Sequence, residues 1–207
     1  MTSLTGKTIV DLLHAFSSSD PTPGGGSASA LASALGSSLL MMVSALPKTR
    51  SRSDEERRLL DATAAALGPL RDALTELIDR DSESYDEVVR TYRLPKGTEA
   101  EQAARTAAIQ KALAGATDVP LQVMKLSVEA MRHGVEVARR GHRAAASDVA
   151  VAFELLQAGL RGAALNVQVN LEGLSDRSTA EQVRGEVSHL EAEGIETAAE
   201  STALLKR

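Results

Sequence analysis

The chain has 207 residues, with 23 Lys plus Arg against 28 Asp plus Glu, a formal charge of −5 and a sequence pI of about 5.5. So acidic a chain supplies few of the clustered cations that phosphate contacts need, which argues against nucleic-acid binding. The absence of cysteine excludes disulfides, thiolate catalysis, zinc fingers and iron–sulfur ligation. Aromatic residues make up only 2% of the chain, too few for a base-stacking platform, so Ala, Leu and Val have to build the core, which favours closely packed helices.

The opening residues MTSLTGKTIVDLLHAF lack the basic start, apolar run and cleavage site of a secretory signal, so a cytoplasmic location is expected. Ile9, Val10, Leu12, Leu13 and Phe16 predict a first short helix over 7–16, which the run SSSDPTPGGGS stops. Ala28 to Leu46 carries no charge. A membrane span and a helix buried inside a bundle or dimer produce the same pattern, and the many serines with Gly36 favour the buried helix, so no membrane partner is expected. Small residues at Ala30, Ala34 and Ser38 would let another backbone approach it closely.

Ser53 with Glu56 is a capping-box signature that opens a long helix to Tyr92, with a bend expected at Gly68-Pro69. Thr98 with Glu101 is a second, opening a helix to about Leu113, and Asp118 before Val119-Pro120 starts another that reaches Arg140. Ser147 or Asp148 is expected to cap the next, which carries Val149, Phe153, Leu156, Leu160 and Val167. Ser178 with Glu181 opens a last, charge-rich helix, expected to be an exposed element. Together these predict one all-α domain over 1–207, a helical bundle of about seven helices that dimerises through its apolar helices.

Pro21 to Ser27 is the most unusual run. The glycines Gly24, Gly25 and Gly26 permit φ > 0 and remove bulk, and Ser27 falls at a helix start where free N–H groups favour an anion; a tight packing turn is the alternative reading. Asp81 and Tyr85 lie one turn apart on an apolar helical stripe, where a desolvated carboxylate would suit proton transfer near neutrality. Acidic residues are common on solvated helix faces, which is the alternative reading of Asp81 taken alone. Asn166 and Asn170 are again one turn apart in an apolar stretch, and their amides need either an inter-helix network or a ligand's polar edge. Asp148 and Asn166 are 18 positions apart on one helix, so about 27 Å separates them and one copy of each cannot reach the same small group. The four histidines are scattered without metal-ligand spacing, so no metal site is expected. The cationic run Arg139, Arg140, His142 and Arg143 suits a helix C-terminus and would attract an acidic tail.

Taken in order, Pro21-Thr-Pro-Gly-Gly-Gly-Ser27, Asp81 to Tyr85 with Leu94-Pro95-Lys96, Val119-Pro120-Leu121, and Ala146-Ser-Asp148 with Gly162 to Leu171 resemble the folate cyclodeaminase/cyclohydrolase family. This is the family of the C-terminal domain of formimidoyltransferase-cyclodeaminase. The resemblance implies an all-helical homodimer that acts on a tetrahydrofolate one-carbon unit without a metal or other cofactor. Asp81, Tyr85 and Asp148 are the candidate catalytic residues, and Asp81 is expected to move the proton because it projects from mid-helix beside apolar neighbours, whereas capping already accounts for Asp148. Gly24, Gly25, Gly26, Ser27 and Lys96 would bind the folate, and Asn166 and Asn170 would hold polar edges of its pterin. With no transferase domain in the chain, methenyltetrahydrofolate cyclohydrolase is the expected activity. The alternatives are formiminotetrahydrofolate cyclodeaminase and a non-catalytic homodimer on the same scaffold.

Overall fold

The computed structural model describes residues 3–206. Its α-helices are α1 (Ile9–Phe16), α2 (Gly25–Ser44), α3 (Asp54–Tyr92), α4 (Glu99–Arg140), α5 (Ala146–Glu172) and α6 (Arg177–Leu205), with a short 3₁₀ turn at Arg143–Ala145 before α5. Helices α2 to α5 pack side by side around an aliphatic core that includes Leu40, Leu67, Leu74, Met124, Met131 and Leu156, and α6 lies along α4 and α5. The all-α expectation holds, but there are six helices rather than seven.

The difference lies at Pro120, which sits inside α4 instead of opening a separate helix. Its ring removes the N–H that would have reached the Ala116 carbonyl four residues earlier. Asn170 of α5 supplies the missing donor, its Nδ2 reaching Ala116 O at 2.8 Å. The orphaned carbonyl is thus satisfied from a neighbouring helix and α4 runs on. Pro69 likewise lies within a continuous α3.

The helix starts follow local chemistry with two departures. Thr98 and Glu101 form a reciprocal capping box, and Ser53 accepts from the Glu56 N–H, while the Glu56 carboxylate turns instead to the Ser51 N–H. At α5 the N-cap is Ala145, without a side-chain bond, so neither Ser147 nor Asp148 caps it; Asp148 lies in the first turn. At α6 the cap is Asp176, accepting from the Thr179 N–H. The α6 helix is also no loose appendage, because Ala180, Val187, Leu190, Gly194 and Ala198 are buried. The acidic partner of the cationic run is internal: Arg139 reaches Glu200 of α6 at 3.0 Å, and Arg140 pairs with Glu136 at 2.7 Å.

Helix α2 is long and apolar enough to cross a membrane, yet just over half of it is buried against its neighbours. Ala30 and Ala34, two of the small residues expected to admit another backbone, are buried, and α2 meets α5 through Ser29, Ser33 and Gly36. A Cβ on Gly36 would lie 2.8 Å from the Ala152 carbonyl, and Cβ atoms on Gly159 and Gly162 would overlap the Ser33 and Ser29 hydroxyls. Backbones this close leave no room for side chains, and the buried serines of α2 bond to backbone carbonyls one turn back or to another buried serine, as Ser33 does with Ser127 at 2.7 Å. The C-terminal end of α2 is closed by Arg57, which donates to Leu46 O at 2.7 Å and to Ser44 O. Arg50 donates to the Ala138 carbonyl of α4 at 2.9 Å.

Asn170→Ala should destabilise the protein by about 1–3 kcal/mol, the cost of an unpaired buried carbonyl. Pro120→Ala restores the backbone donor, so the same Asn170→Ala change made in that background should cost markedly less. Urea unfolding of the four proteins measures the coupling, and equal losses in both backgrounds would separate Asn170 from the proline.

Candidate functional site

Gly24, the N-cap of α2, has no side chain with which to cap the helix. A carboxylate from α3 does so instead. Oδ2 of Asp81 accepts from the Ser27 N–H at 2.8 Å and lies 3.0 Å from the Ser27 hydroxyl. That hydroxyl also reaches the Ile78 carbonyl at 2.9 Å and Ser82 Oγ at 3.2 Å. The anion expected at the glycine-rich turn is therefore one of the chain's own side chains.

Of the three glycines Gly26 is needed for space, and none is needed for a left-handed backbone, since no glycine among the described residues has a positive φ. A Cβ on Gly26 would overlap Oδ1 of Asp81 and lie 2.8 Å from Oδ2. At Gly25 a Cβ would sit 3.5 Å from Asn166 Nδ2, an ordinary contact. Gly25 and Gly26 thus bring Asp81 of α3 and Asn166 of α5 to the same end of α2.

Burial pushes the Asp81 carboxyl up, and the hydroxyl and amide of Ser27 pull it back only in part, so it stays above the ordinary aspartate value. Asp79, two residues earlier, goes the other way. Burial is outweighed there by donors from Ser3, Leu4 and Thr5, which anchor the segment before α1 and hold the carboxyl low.

The remaining candidates divide. Asn166 is half-buried and gives its Nδ2 to Gly162 O at 2.8 Å, leaving its oxygen without a donor among the described residues. Asn170 commits its Nδ2 to the helix repair at Ala116, a duty that the expected pterin contact did not include. Tyr85 is 42% exposed, one turn beyond Asp81. Lys96 lies on the exposed loop after α3, whose rise places Tyr92 about 16 Å along the axis from Asp81. Asp148 belongs to the opposite end of α5, about 27 Å from Asn166, and so is not assembled with Asp81 within one chain. Among the described residues no group of three or more His, Asp or Glu side chains could hold a metal ion.

Two clefts border α3, and the second also borders the segment before the turn. One of about 640 Å³ runs between α3 and α4, bordered by Arg80, Glu83, Arg90, Lys111 and Gly115. The other, about 570 Å³, lies between the α1 segment and α3, bordered by Lys7, Asp20, Pro23, Asp79 and Ser82. Ser82, Ile78 and Gly162 were not singled out from sequence. The one available signal was the four-residue spacing of Ile78 and Ser82 astride Asp81 on the helix that carries it.

At one end of this helical bundle a desolvated carboxylate, the Gly25 and Gly26 N–H groups and the Asn166 amide oxygen come together, the last three without partners among the described residues, and such groups could exchange a proton and bind a polar ligand. The chain belongs to the formiminotransferase-cyclodeaminase family, whose model matches residues 8–189. It is 42% identical over 187 residues to the methenyltetrahydrofolate cyclohydrolase of Methylorubrum extorquens, covering 90% of each chain. It is 34% identical over 172 residues to the formimidoyltransferase-cyclodeaminase of Rattus norvegicus, covering 81% of this chain but 31% of that protein. The formiminotetrahydrofolate cyclodeaminase structure from Thermotoga maritima superposes with a TM-score of 0.86 at 22% identity, covering 97% of this chain and 96% of that one. Sequence and fold are thus of the cyclodeaminase/cyclohydrolase type.

Gly26→Ala should destabilise the protein by about 1–3 kcal/mol, because Asp81 must leave its place. Gly25→Ala, with only an ordinary contact to Asn166, should be neutral or slightly stabilising. Thermal unfolding of the two variants decides it, and equal stabilities would show that Asp81 is not held against Gly26.

Proposed function

We propose that the protein is a methenyltetrahydrofolate cyclohydrolase that converts 5,10-methenyltetrahydrofolate and water to 10-formyltetrahydrofolate. The observation that carries this reading is the 42% identity to a protein of that name over 90% of both chains. The formimidoyltransferase-cyclodeaminases are matched over about a third of their length only.

In this scheme water attacks the methenyl carbon and gives a proton to Asp81. The tetrahedral carbon then collapses, its bond to N5 breaks, N5 takes a proton, and the remaining hydroxyl becomes the formyl oxygen with release of one proton overall. A carboxylate raised towards neutrality can both accept and return that proton. The Gly25 and Gly26 N–H groups face a carbonyl or anionic part of the folate, and the Asn166 oxygen accepts from the pterin's N–H edge. Tyr85, one turn from Asp81, orients water or the substrate amine. The scheme is written without a metal or other cofactor, since the cationic methenyl carbon is already electrophilic towards water.

The active form in this reading is a homodimer. Uncharged α2 leaves Ala28, Leu35 and Met42 exposed at seven-residue spacing, and α5 does the same with Val151, Ala158 and Leu165. The antiparallel pairing of α2 with α5 turns both stripes to one outer side. A continuous apolar ribbon of this kind suits a second copy.

Asp81→Asn should lower kcat by about 10²- to 10⁴-fold with little change in KM, followed by the loss of methenyltetrahydrofolate absorbance. Near-parental turnover, together with an inactive but folded Asp148→Asn, would move proton transfer to the start of α5. Ammonia release from formiminotetrahydrofolate, without cyclohydrolase turnover, would assign the deaminase instead. For the dimer, light scattering at micromolar concentration should give the mass of two chains, and of one chain in Leu35→Glu/Leu165→Glu. A monomeric parent would overturn the dimer.

A further inference from the structure

The two oxygens of Asp81 are not equivalent. Oδ2 has two donors within reach, the Ser27 amide at 2.8 Å and the Ser27 hydroxyl at 3.0 Å, which use both lone-pair directions of that oxygen. Oδ1 lies against Gly26 and accepts from no described residue. We propose that Ser27 is a positioning residue: its amide and hydroxyl fix Oδ2 of Asp81 and leave Oδ1 as the oxygen that takes up and returns the proton.

The Ser27 hydroxyl is suited to follow that cycle. It has one hydrogen and can give it either to Asp81 Oδ2 or to the Ile78 carbonyl at 2.9 Å. When Asp81 is charged the hydrogen turns to Oδ2, and when Asp81 is neutral it turns to Ile78, without movement of the backbone. Ser27 is wholly buried, so water does not substitute for it. The groups against the carboxylate are Gly26 and Ser27 of α2; Ser82 of α3 meets the Ser27 hydroxyl and Asn166 of α5 lies across Gly25, and none of these is charged. Tyr85, one turn on, is the titratable neighbour. Removing the hydroxyl therefore removes a partner that favours the charged acid, and nothing else close by compensates.

The catalytic half of this inference rests on the cyclohydrolase reading; the clamp itself does not. The test is a ¹³C NMR titration of the Asp81 carboxyl, its signal identified by its loss in Asp81→Asn, beside the pH profile of kcat/KM. In Ser27→Ala the NMR midpoint should rise by about one pH unit, since a bond to the charged form is lost. A base must be ionised to act, so the acid limb of kcat/KM should move up by the same amount while KM changes little. Ser27→Cys, of similar size but a weaker donor, should give a smaller rise of the same sign, and it serves if the alanine variant fails to fold. Ser33→Ala removes another buried hydroxyl of α2, the partner of Ser127, and should move neither reading. An unchanged midpoint in folded Ser27→Ala or Ser27→Cys overturns the clamp. A midpoint that rises while the acid limb stays put overturns its catalytic part, and with it proton transfer by Asp81. A parent protein without cyclohydrolase activity defeats the functional reading, while the NMR titration still decides the clamp.

Discussion

The capping of α2 by Asp81 is the interaction on which the candidate site depends. A helix that begins at a glycine N-cap has orphan N–H groups and no local acceptor for them. Asp81 supplies one from a different helix, and the same bond that completes α2 carries a carboxylate into the bundle. The helix dipole and the Ser27 donors make the charged form tolerable there, and burial makes the neutral form accessible. One contact therefore joins stability to reactivity.

That contact requires α2, α3 and α5 to approach closely at one end, and the small residues of α2 and α5 make this possible. Gly26 admits the carboxylate, and Gly159 and Gly162 admit the Ser33 and Ser29 hydroxyls. An uncharged, serine-rich helix is the chemical consequence. Its hydroxyls bond back to the helix carbonyls or to another buried serine, so it can be buried on several sides without unpaired donors. The apolar positions left outside are those the proposed dimer would cover.

The two ends of the bundle are built differently. At the C-terminal end of α2, Arg50 and Arg57 tie down the last carbonyls of α2 and α4, and ion pairs link α4 to α6. At the other end α2 begins with free N–H groups, and open clefts border α3. Asp148 lies with the arginine-closed end and Asp81 with the open one, and the proposed reaction accordingly uses Asp81.

Helix punctuation was legible in the sequence because it is local: the Thr98–Glu101 capping box, the Ser53 cap and the apolar spacing each act within about one turn. The Asp81–Tyr85 pair and the glycine-rich run were legible for the same reason, as residue types at helical spacing. Tertiary structure alone decided how they combine. The Ser27–Asp81 and Asn170–Ala116 bonds each join residues 54 positions apart. No local rule pairs such residues; only the antiparallel packing of whole helices brings an acceptor to the orphaned Ser27 N–H and a donor to the orphaned Ala116 carbonyl. For that reason a proline expected to start a helix became part of one, and of the two uses expected of the glycines, positive φ and removal of bulk, only the second is seen, at Gly26, where it admits a carboxylate.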